Sequence, residues 1–365
     1  MTSPRINVLA LSPIPEEGAG CRFRVTQYIP YLREAGFDVT VSPFYSREYF
    51  GFVYRPGNYV RKAAGFTALT LRRLNELSSI RNYDLVFLYR EAIPIGPPLI
   101  ERRIAGMRIP IVYDFDDAIF LPAMSEANKA FSFLKNPARV AEILKLSRHV
   151  TVGNAFLAEY ARRFNANVTM IPTAVDTNRF APRADAPQRD RLVVGWIGSP
   201  TTFQYLESLK DVLATVASRH PFTLKVSGAG RAVNFPGVDV EVVPWSMADE
   251  VSLFNSCDIG VYPLTDDDWS RGKCGFKAIQ FLACGVPVVA AAVGVNREII
   301  EHGVNSMLAS TPQDWIAHLS TLLTNASLRR KMSVAGRQTI EARYSLRVTA
   351  PQLAAVMRSA VHTTS

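Results

Sequence analysis

Cysteine is scarce in this chain, and the four that occur, Cys21, Cys257, Cys274 and Cys284, form no C-x-x-C pair. That spacing argues against a zinc ribbon or a disulfide framework and suits small buried residues in a reducing compartment. The five histidines stand singly, without H-E-x-x-H or any other ligand spacing, so nothing in the sequence asks for a metal. Long apolar runs are also missing. No segment reaches the roughly 18 uninterrupted apolar residues of a membrane span, and the opening MTSPRINVLALSPIP is too soon broken by proline for a signal peptide. A soluble, cytoplasmic protein is expected. No G-x-G-x-x-G follows the first strand candidate, where the loop is Pro15 to Arg24 (PEEGAGCRFR), which disfavours a dinucleotide-binding dehydrogenase. The absence of G-x-x-x-x-G-K-[ST] disfavours a P-loop kinase or ATPase. There is no helix-turn-helix, zinc-finger or RNP pattern either, so no nucleic-acid partner is expected.

What is present is ample apolar content, 48% of 365 residues, enough for about two domains. The net charge of +9 is unevenly spread, with +7 in residues 1–185 and +2 thereafter. An anionic membrane surface or a phosphorylated acceptor fits that basic first half. Within it, Arg55 to Arg81 reads as an amphipathic basic helix, suited to peripheral contact with lipid headgroups or, more plainly, to packing with a solvated basic face.

Val-, Ile- and Phe-rich runs alternate with helical patterns throughout, the trace of βαβ units on a parallel sheet. The strand candidates are INVLALS, DVTVSPF, DLVFLYR, IPIVYDF, HVTVGN and VTMIPT, then LVVGWIG, FTLKVSG, VDVEVVP, DIGVYPL and VPVVAAA. Between the two series lies Asn178 to Arg191, a polar, proline-bearing run of linker composition. The expectation is α/β: two doubly wound Rossmann-like domains facing across a cleft, residues 1–185 and 186–345, with a last helix over 346–365 packing back across them. In such sheets ligands bind beyond the carboxyl ends of the strands.

The richest strand-end stretch is Ser270 to Ala292, SRGKCGFKAIQFLACGVPVVAAA. Gly272, Lys273 and Gly275 precede a helix opening at Phe276, so backbone N–H groups, the positive helix end, Lys273 and Lys277 suit a diphosphate. After the first strand of the second series, Gly198, Ser199 and Thr201 offer N–H and hydroxyl donors. In the first domain Tyr113 to Asp117 (YDFDD) ends a strand and puts Asp116 and Asp117 at the cleft, to orient an acceptor hydroxyl or stabilise an oxocarbenium-like centre, or simply to cap a turn. The same D-x-D pattern can instead hold a divalent cation, which the two-domain repeat speaks against, and Asp266 to Asp268 raises the same question or is a solvated loop. Arg22, Arg24, Arg90 and Glu91 are further strand-end charges, suited to phosphate or carboxylate groups or to structural ion pairs with Glu91 or Asp114.

The run GFKAIQFLACGVPVVA resembles the donor-binding segment of the retaining GT-B glycosyltransferases of family 4. Pro172 to Phe180 (PTAVDTNRF) and Gly294 to Gly303 (GVNREIIEHG) are similar to two further segments of that family. The resemblance implies a metal-independent, retaining transferase without a bound cofactor, which uses a UDP- or GDP-linked sugar donor and a glycan, lipid or small-molecule acceptor. It also implies two glutamates, one for the donor sugar and one for the ribose. This sequence has Gly272 and Gln280 there, as a sub-branch lacking the usual pair. Gln280 can still hydrogen-bond a ribose hydroxyl, whereas Gly272 cannot replace a carboxylate. Lys273 stands in for the cation that the family carries after the first strand of its second domain. Gly272 and Gln280 leave a second reading, a protein that binds nucleotide or glycan without turnover; a third, a UDP-sugar 2-epimerase, shares the architecture, but the Pro172 and Gly294 segments favour the transferase.

Overall fold

The computed structural model describes residues 5–121, 138–184 and 190–362. The chain divides into two compact units, Met1–Thr173 with Thr349–Ser365, and Ala174–Val348. The division falls ahead of the expected boundary at 185. Phe180 packs edge-on to Phe254, and the backbone N–H of Val175 donates to Tyr344 O, so both belong to the second unit. Residues 185–189 of the expected linker, and with them that boundary, lie outside the described residues.

The first unit holds β1 (Ile6–Ser12), β2 (Phe37–Pro43), β3 (Leu85–Tyr89), β4 (Ile111–Phe115), β5 (His149–Val152) and β6 (Val168–Met170), in the order β2-β1-β3-β4-β5-β6. Every pairing is parallel. β3 (LVFLY) and β4 (IVYDF) are buried at every position, which is why they read as continuous apolar runs rather than as alternation. The second unit repeats the plan with β7 (Val193–Ile197), β8 (Thr223–Ser227), β9 (Asp239–Val243), β10 (Ile259–Tyr262), β11 (Val288–Ala291) and β12 (Met307–Ala309), in the order β12-β11-β10-β7-β8-β9. All of its pairings are parallel too. Its core is built from β7, β8, β10 and β11 with the helices that cover them, through residues such as Trp196, Leu213, Val261 and Leu319.

Each of the eleven strand candidates forms a strand. The twelfth, β12, is an edge strand of only three residues, too short for a pattern to reveal. Between β7 and β8 the chain forms two helices, Phe203–Glu207 and Lys210–Arg219, with Leu209 between them. The tail forms the helix Leu346–His362, and its residues from Thr349 onward belong to the first unit, where Thr349 Oγ1 accepts the Tyr28 hydroxyl at 3.0 Å. No helix among the described residues is long and apolar enough to cross a membrane.

Candidate functional site

In the second unit the strand order reverses between β7 and β10, which is where a doubly wound sheet opens a ligand crevice. Gly195 lies opposite Gly260, so the loops after Ile197 and Tyr262 leave the sheet side by side. These loops contain Gly198–Thr201 and Lys273–Gly275.

The first loop differs from expectation in its donors. The Gly198 N–H donates to Ser227 O at 3.0 Å, and the Ser199 N–H to Thr202 Oγ1 at 2.9 Å, so these two backbone donors are satisfied within the unit. What the loop presents is a hydroxyl cluster, with Ser199 Oγ 3.0 Å from Thr201 Oγ1 and 3.1 Å from Thr202 Oγ1. Behind it stands Gly228, after β8, with φ of 86° and the position of a Cβ only 2.2 Å from Gly198 O. Only glycine fits both that backbone and that approach. The Gly228-Ala229-Gly230 turn is a site feature that reading the sequence passed over, although two glycines just after a strand are a visible signal.

The second loop folds around a short helix, Asp268–Arg271, whose first turn is capped by Asp267 Oδ1 accepting from the Ser270 N–H at 2.7 Å. Asp266 and Asp268 pair with Arg271 at 3.0 and 3.2 Å, so the acidic run serves as a cap and two exposed ion pairs. Among the described residues no three His, Cys, Asp or Glu side chains are grouped as metal ligands would be. Gly272 follows with an ordinary φ of −72° and donates its N–H to Asp268 O. Lys273 is half-buried, its ammonium 5.4 Å from the Trp269 ring centroid. Gly275 is the N-cap of the helix Phe276–Ala283, with φ of 65° and no side chain capping that end. A Cβ there would stand 2.2 Å from Ile299 Cδ1 and 3.0 Å from Val295 Cγ1. The missing Cβ thus lets the Lys273 loop close onto the segment after β11, and brings the Ser270–Ala292 and Gly294–Gly303 stretches together. Asn296, fully buried in that segment, donates Nδ2 to Ala291 O at 3.0 Å. Its Oδ1 is buried without a hydrogen-bond partner, 3.3 Å from the place of a Gly275 Cβ.

Gln280 is fully buried on the helix that follows. Its Oε1 accepts from Lys277 Nζ at 2.8 Å, and its Nε2 donates to Glu250 Oε1 at 3.1 Å. Glu250, itself 1% exposed, also faces Arg179 Nη2 at 3.4 Å. A chain of alternating charge and dipole therefore runs Arg179, Glu250, Gln280, Lys277. Glu250 is a buried carboxylate next to an expected site residue that the sequence did not single out, since a glutamate at a helix start reads as solvated.

In the first unit the order reverses between β1 and β3. Arg24, on the helix Ala19–Arg24 after β1, is 2% exposed and does not serve as an open anion fork. Its Nε donates to Asp114 Oδ2 at 2.9 Å, its Nη2 donates to Asp114 Oδ1, and its Nη1 reaches Ile171 O at 2.9 Å. Thr151 Oγ1 completes the pair by donating to Asp114 Oδ1 at 2.6 Å. This is the structural pairing named as the alternative for Arg24, with Asp114 rather than Glu91 as partner. Arg22 is buried as well, donating Nη1 to Glu16 O at 3.3 Å with its guanidinium 4.8 Å from the Phe23 ring.

Arg90, just past β3, takes φ of 57° and donates Nη2 to Asp116 Oδ1 at 3.0 Å, with Asp117 Oδ2 at 3.7 Å. The Tyr89 hydroxyl donates to the same Asp116 oxygen at 2.9 Å. That hydroxyl fits because Gly20 has no Cβ, which would sit 2.1 Å from it. Burial alone would raise the Asp116 carboxyl, but the Arg90 and Arg24 guanidiniums and the bonds from Arg90 and Tyr89 hold it below the usual carboxylate range. Burial pushes the Tyr89 hydroxyl well up, so it remains a donor. Asp117 Oδ1 accepts from the Ala118 N–H at 3.1 Å, which is the turn-capping role weighed for it. Glu91 is half-buried beside this group. The structure therefore gathers Tyr89, Arg90, Asp116 and Asp117 at the ends of β3 and β4.

The comparisons with known proteins meet this geometry. Residues 191–325 match the family model described as glycosyl transferases group 1, a span that runs from β7 through both candidate loops to the helix after β12. A D-inositol 3-phosphate glycosyltransferase from Thermobispora bispora is 29% identical over 49% of this chain and 37% of its own length. The one from Segniliparus rotundus is 26% identical over 61% of this chain and 54% of its own. The chain thus spans between about a third and a half of these curated relatives. Among solved structures, a sucrose-phosphate synthase from Thermosynechococcus elongatus superposes with a TM-score of 0.71 at 16% identity, covering 99% of this chain and all of the other. Anabaena HepE in complex with UDP-glucose superposes with a TM-score of 0.67 at 17% identity, covering 97% and 100%. The fold is that of these GT-B structures, and the second unit is similar in sequence to the group 1 glycosyl transferases. The group 1 match lies in the second unit.

Proposed function

We propose that this chain is a glycosyltransferase that moves a sugar from a UDP- or GDP-linked donor to an acceptor hydroxyl, with retention of anomeric configuration and without a metal ion or bound cofactor. The observation that carries this reading is the placement of Lys273 and of the N-terminus of Phe276–Ala283, opened by Gly275, beside the switch point of the second sheet. The group 1 match over that region and the UDP-glucose complex of the Anabaena neighbour support it. As the bond from the anomeric carbon to the diphosphate oxygen breaks, negative charge grows on the leaving phosphate. The helix end and the Lys273 ammonium stabilise that charge. The acceptor oxygen forms the new bond on the same face of the sugar, and its proton passes to the leaving phosphate. No protein nucleophile is needed. On the first unit, Asp116, kept ionised by Arg90, and Asp117 are the candidates to orient the acceptor hydroxyl, which can belong to a glycan, a lipid or a small molecule.

The test is release of nucleoside diphosphate from a panel of UDP- and GDP-sugars, with and without acceptors and EDTA, with the product anomer read by NMR. Turnover that EDTA leaves intact, with the donor's anomer kept, is expected. Loss in EDTA overturns the metal-free mechanism, and inversion overturns retention. Gly272, which leaves no carboxylate where the resemblance places one, favours a second reading: a protein that binds nucleotide tightly without turnover. An epimerised UDP-sugar formed without acceptor would instead make the chain a 2-epimerase.

A further inference from the structure

The helix Tyr59–Glu76 is built with its apolar side outward as well as inward. Its inner side packs through Gly65, Phe66 and Leu69 onto the cluster of Phe44, Tyr45 and Tyr49, and the Tyr49 hydroxyl donates to Lys62 O at 2.7 Å. At 100° per residue the opposite face of the helix carries Val60, Ala63, Ala64, Thr67, Ala68, Leu71, Leu74 and Asn75, all exposed and none charged. An ordinary surface helix would place its charges there. Exposure is 85% at Val60, 70% at Tyr59, 61% at Leu71 and 44% at Leu74, and Tyr54, just before the helix, is 70% exposed. Five of the twelve exposed large hydrophobics among the described residues therefore fall in this one hairpin, a grouping that scattered surface residues do not show.

The charges sit at the rim of that stripe. Residues 47–81 hold seven basic residues and two acidic ones. Arg61, about 60% exposed at the edge of the apolar face, makes an exposed pair with Glu48 at 2.8 Å, of the kind worth little in water; Arg72, one step beyond, donates to Phe44 O at 2.7 Å, and Arg55 is exposed in the turn before the helix. An apolar strip with a cationic border fits the boundary between acyl chains and anionic headgroups. A second copy of this chain would bring the same positive rim against itself.

We propose that the outer face of Tyr59–Glu76 docks this chain on the surface of an anionic lipid bilayer, with Val60, Leu71 and Leu74 entering the headgroup boundary and Arg55 and Arg61 meeting lipid phosphates. The inference does not depend on glycosyl transfer. It is tested on the full chain by co-sedimentation with phosphatidylcholine vesicles and with vesicles of phosphatidylcholine and phosphatidylglycerol in equal parts, at low and at physiological salt. Binding is expected to the anionic vesicles and not to the neutral ones, and to weaken as salt rises. The double variant Val60→Asp with Leu71→Asp should lose at least tenfold in partitioning, and Arg55→Gln with Arg61→Gln roughly fivefold per charge removed. All four positions are exposed, so unchanged circular dichroism and thermal midpoints are expected and separate lost docking from lost fold. No binding by the folded wild-type chain, equal binding to both vesicle types, or binding that the aspartate pair leaves intact would overturn the proposal. So would a concentration-dependent dimer in sedimentation velocity that the aspartate pair abolishes.

Discussion

Gln280 Nε2 donates to Glu250 Oε1 at 3.1 Å, and both side chains are essentially without solvent contact. An amide can donate to a buried carboxylate, but a second ionised carboxylate cannot, because both would offer only acceptors. This supplies a physical reason for glutamine where the resemblance implies glutamate: the buried negative charge is already present at Glu250, held by Arg179 at 3.4 Å. Gln280→Glu should therefore destabilise the second unit at neutral pH by about 1–3 kcal/mol, read by urea unfolding. Adding Glu250→Gln should restore much of that loss. A Gln280→Glu variant as stable as the wild type would contradict the account.

Arg24 and Asp114 should behave as a buried, doubly bonded pair. Removing one partner strands the other charge, so Asp114→Asn or Arg24→Met should each cost about 3–5 kcal/mol. Because the loss in each single variant is mainly the stranded charge, the double variant should cost less than the sum of the two. A double-mutant cycle by denaturant unfolding measures this coupling.

Gly20→Ala would push a methyl against the Tyr89 hydroxyl, 2.1 Å from its ideal position, in the group that holds Asp116. Overpacking of this kind typically costs about 1–3 kcal/mol. Combining it with Tyr89→Phe, which deletes the clashing oxygen, should recover part of the stability. Activity should stay low in the double variant, because Asp116 then has one donor fewer.

The sign of the pH dependence follows from Asp116. Its folded value lies below the ordinary carboxylate range, with burial outweighed by Arg90 and Arg24. The stability it contributes is therefore present above the unfolded pKa of about 3.9 and is lost as pH falls through the lower folded value. Asp116→Asn should lower stability at pH 7 and flatten the acid limb of a stability profile followed by urea unfolding. A profile with the same acid limb as the wild type would contradict this assignment.

Much of the architecture was legible because parallel strands buried on both faces leave unbroken Val, Ile and Phe runs, as in LVFLY and VVAA. The same signal fails for Met307–Ala309, where three residues at a sheet edge carry no period. At the site, Lys273, Gly275 and Phe276 could be read from local chemistry, since a glycine at a helix start has a local cause. Arg24 and Glu250 could not. Their roles depend on partners 90 and 71 residues away, Asp114 and Arg179, and a single sequence does not show which strand-end charge meets which. The Gly198 N–H is hidden for the same reason, since Ser227 O on the next strand takes it, whereas the Ser199 N–H is taken locally by Thr202 Oγ1.

The central claim is that Lys273 and the helix end at Gly275 hold the donor's diphosphate. Its most direct test is calorimetric titration of Lys273→Ala with UDP and GDP beside the wild type, paired with kcat/KM for the preferred donor. The account predicts at least a tenfold loss in both affinity and kcat/KM, with thermal stability unchanged because the Lys273 side chain is half-exposed. Donor affinity and rate equal to those of the wild type would contradict the placement of the site.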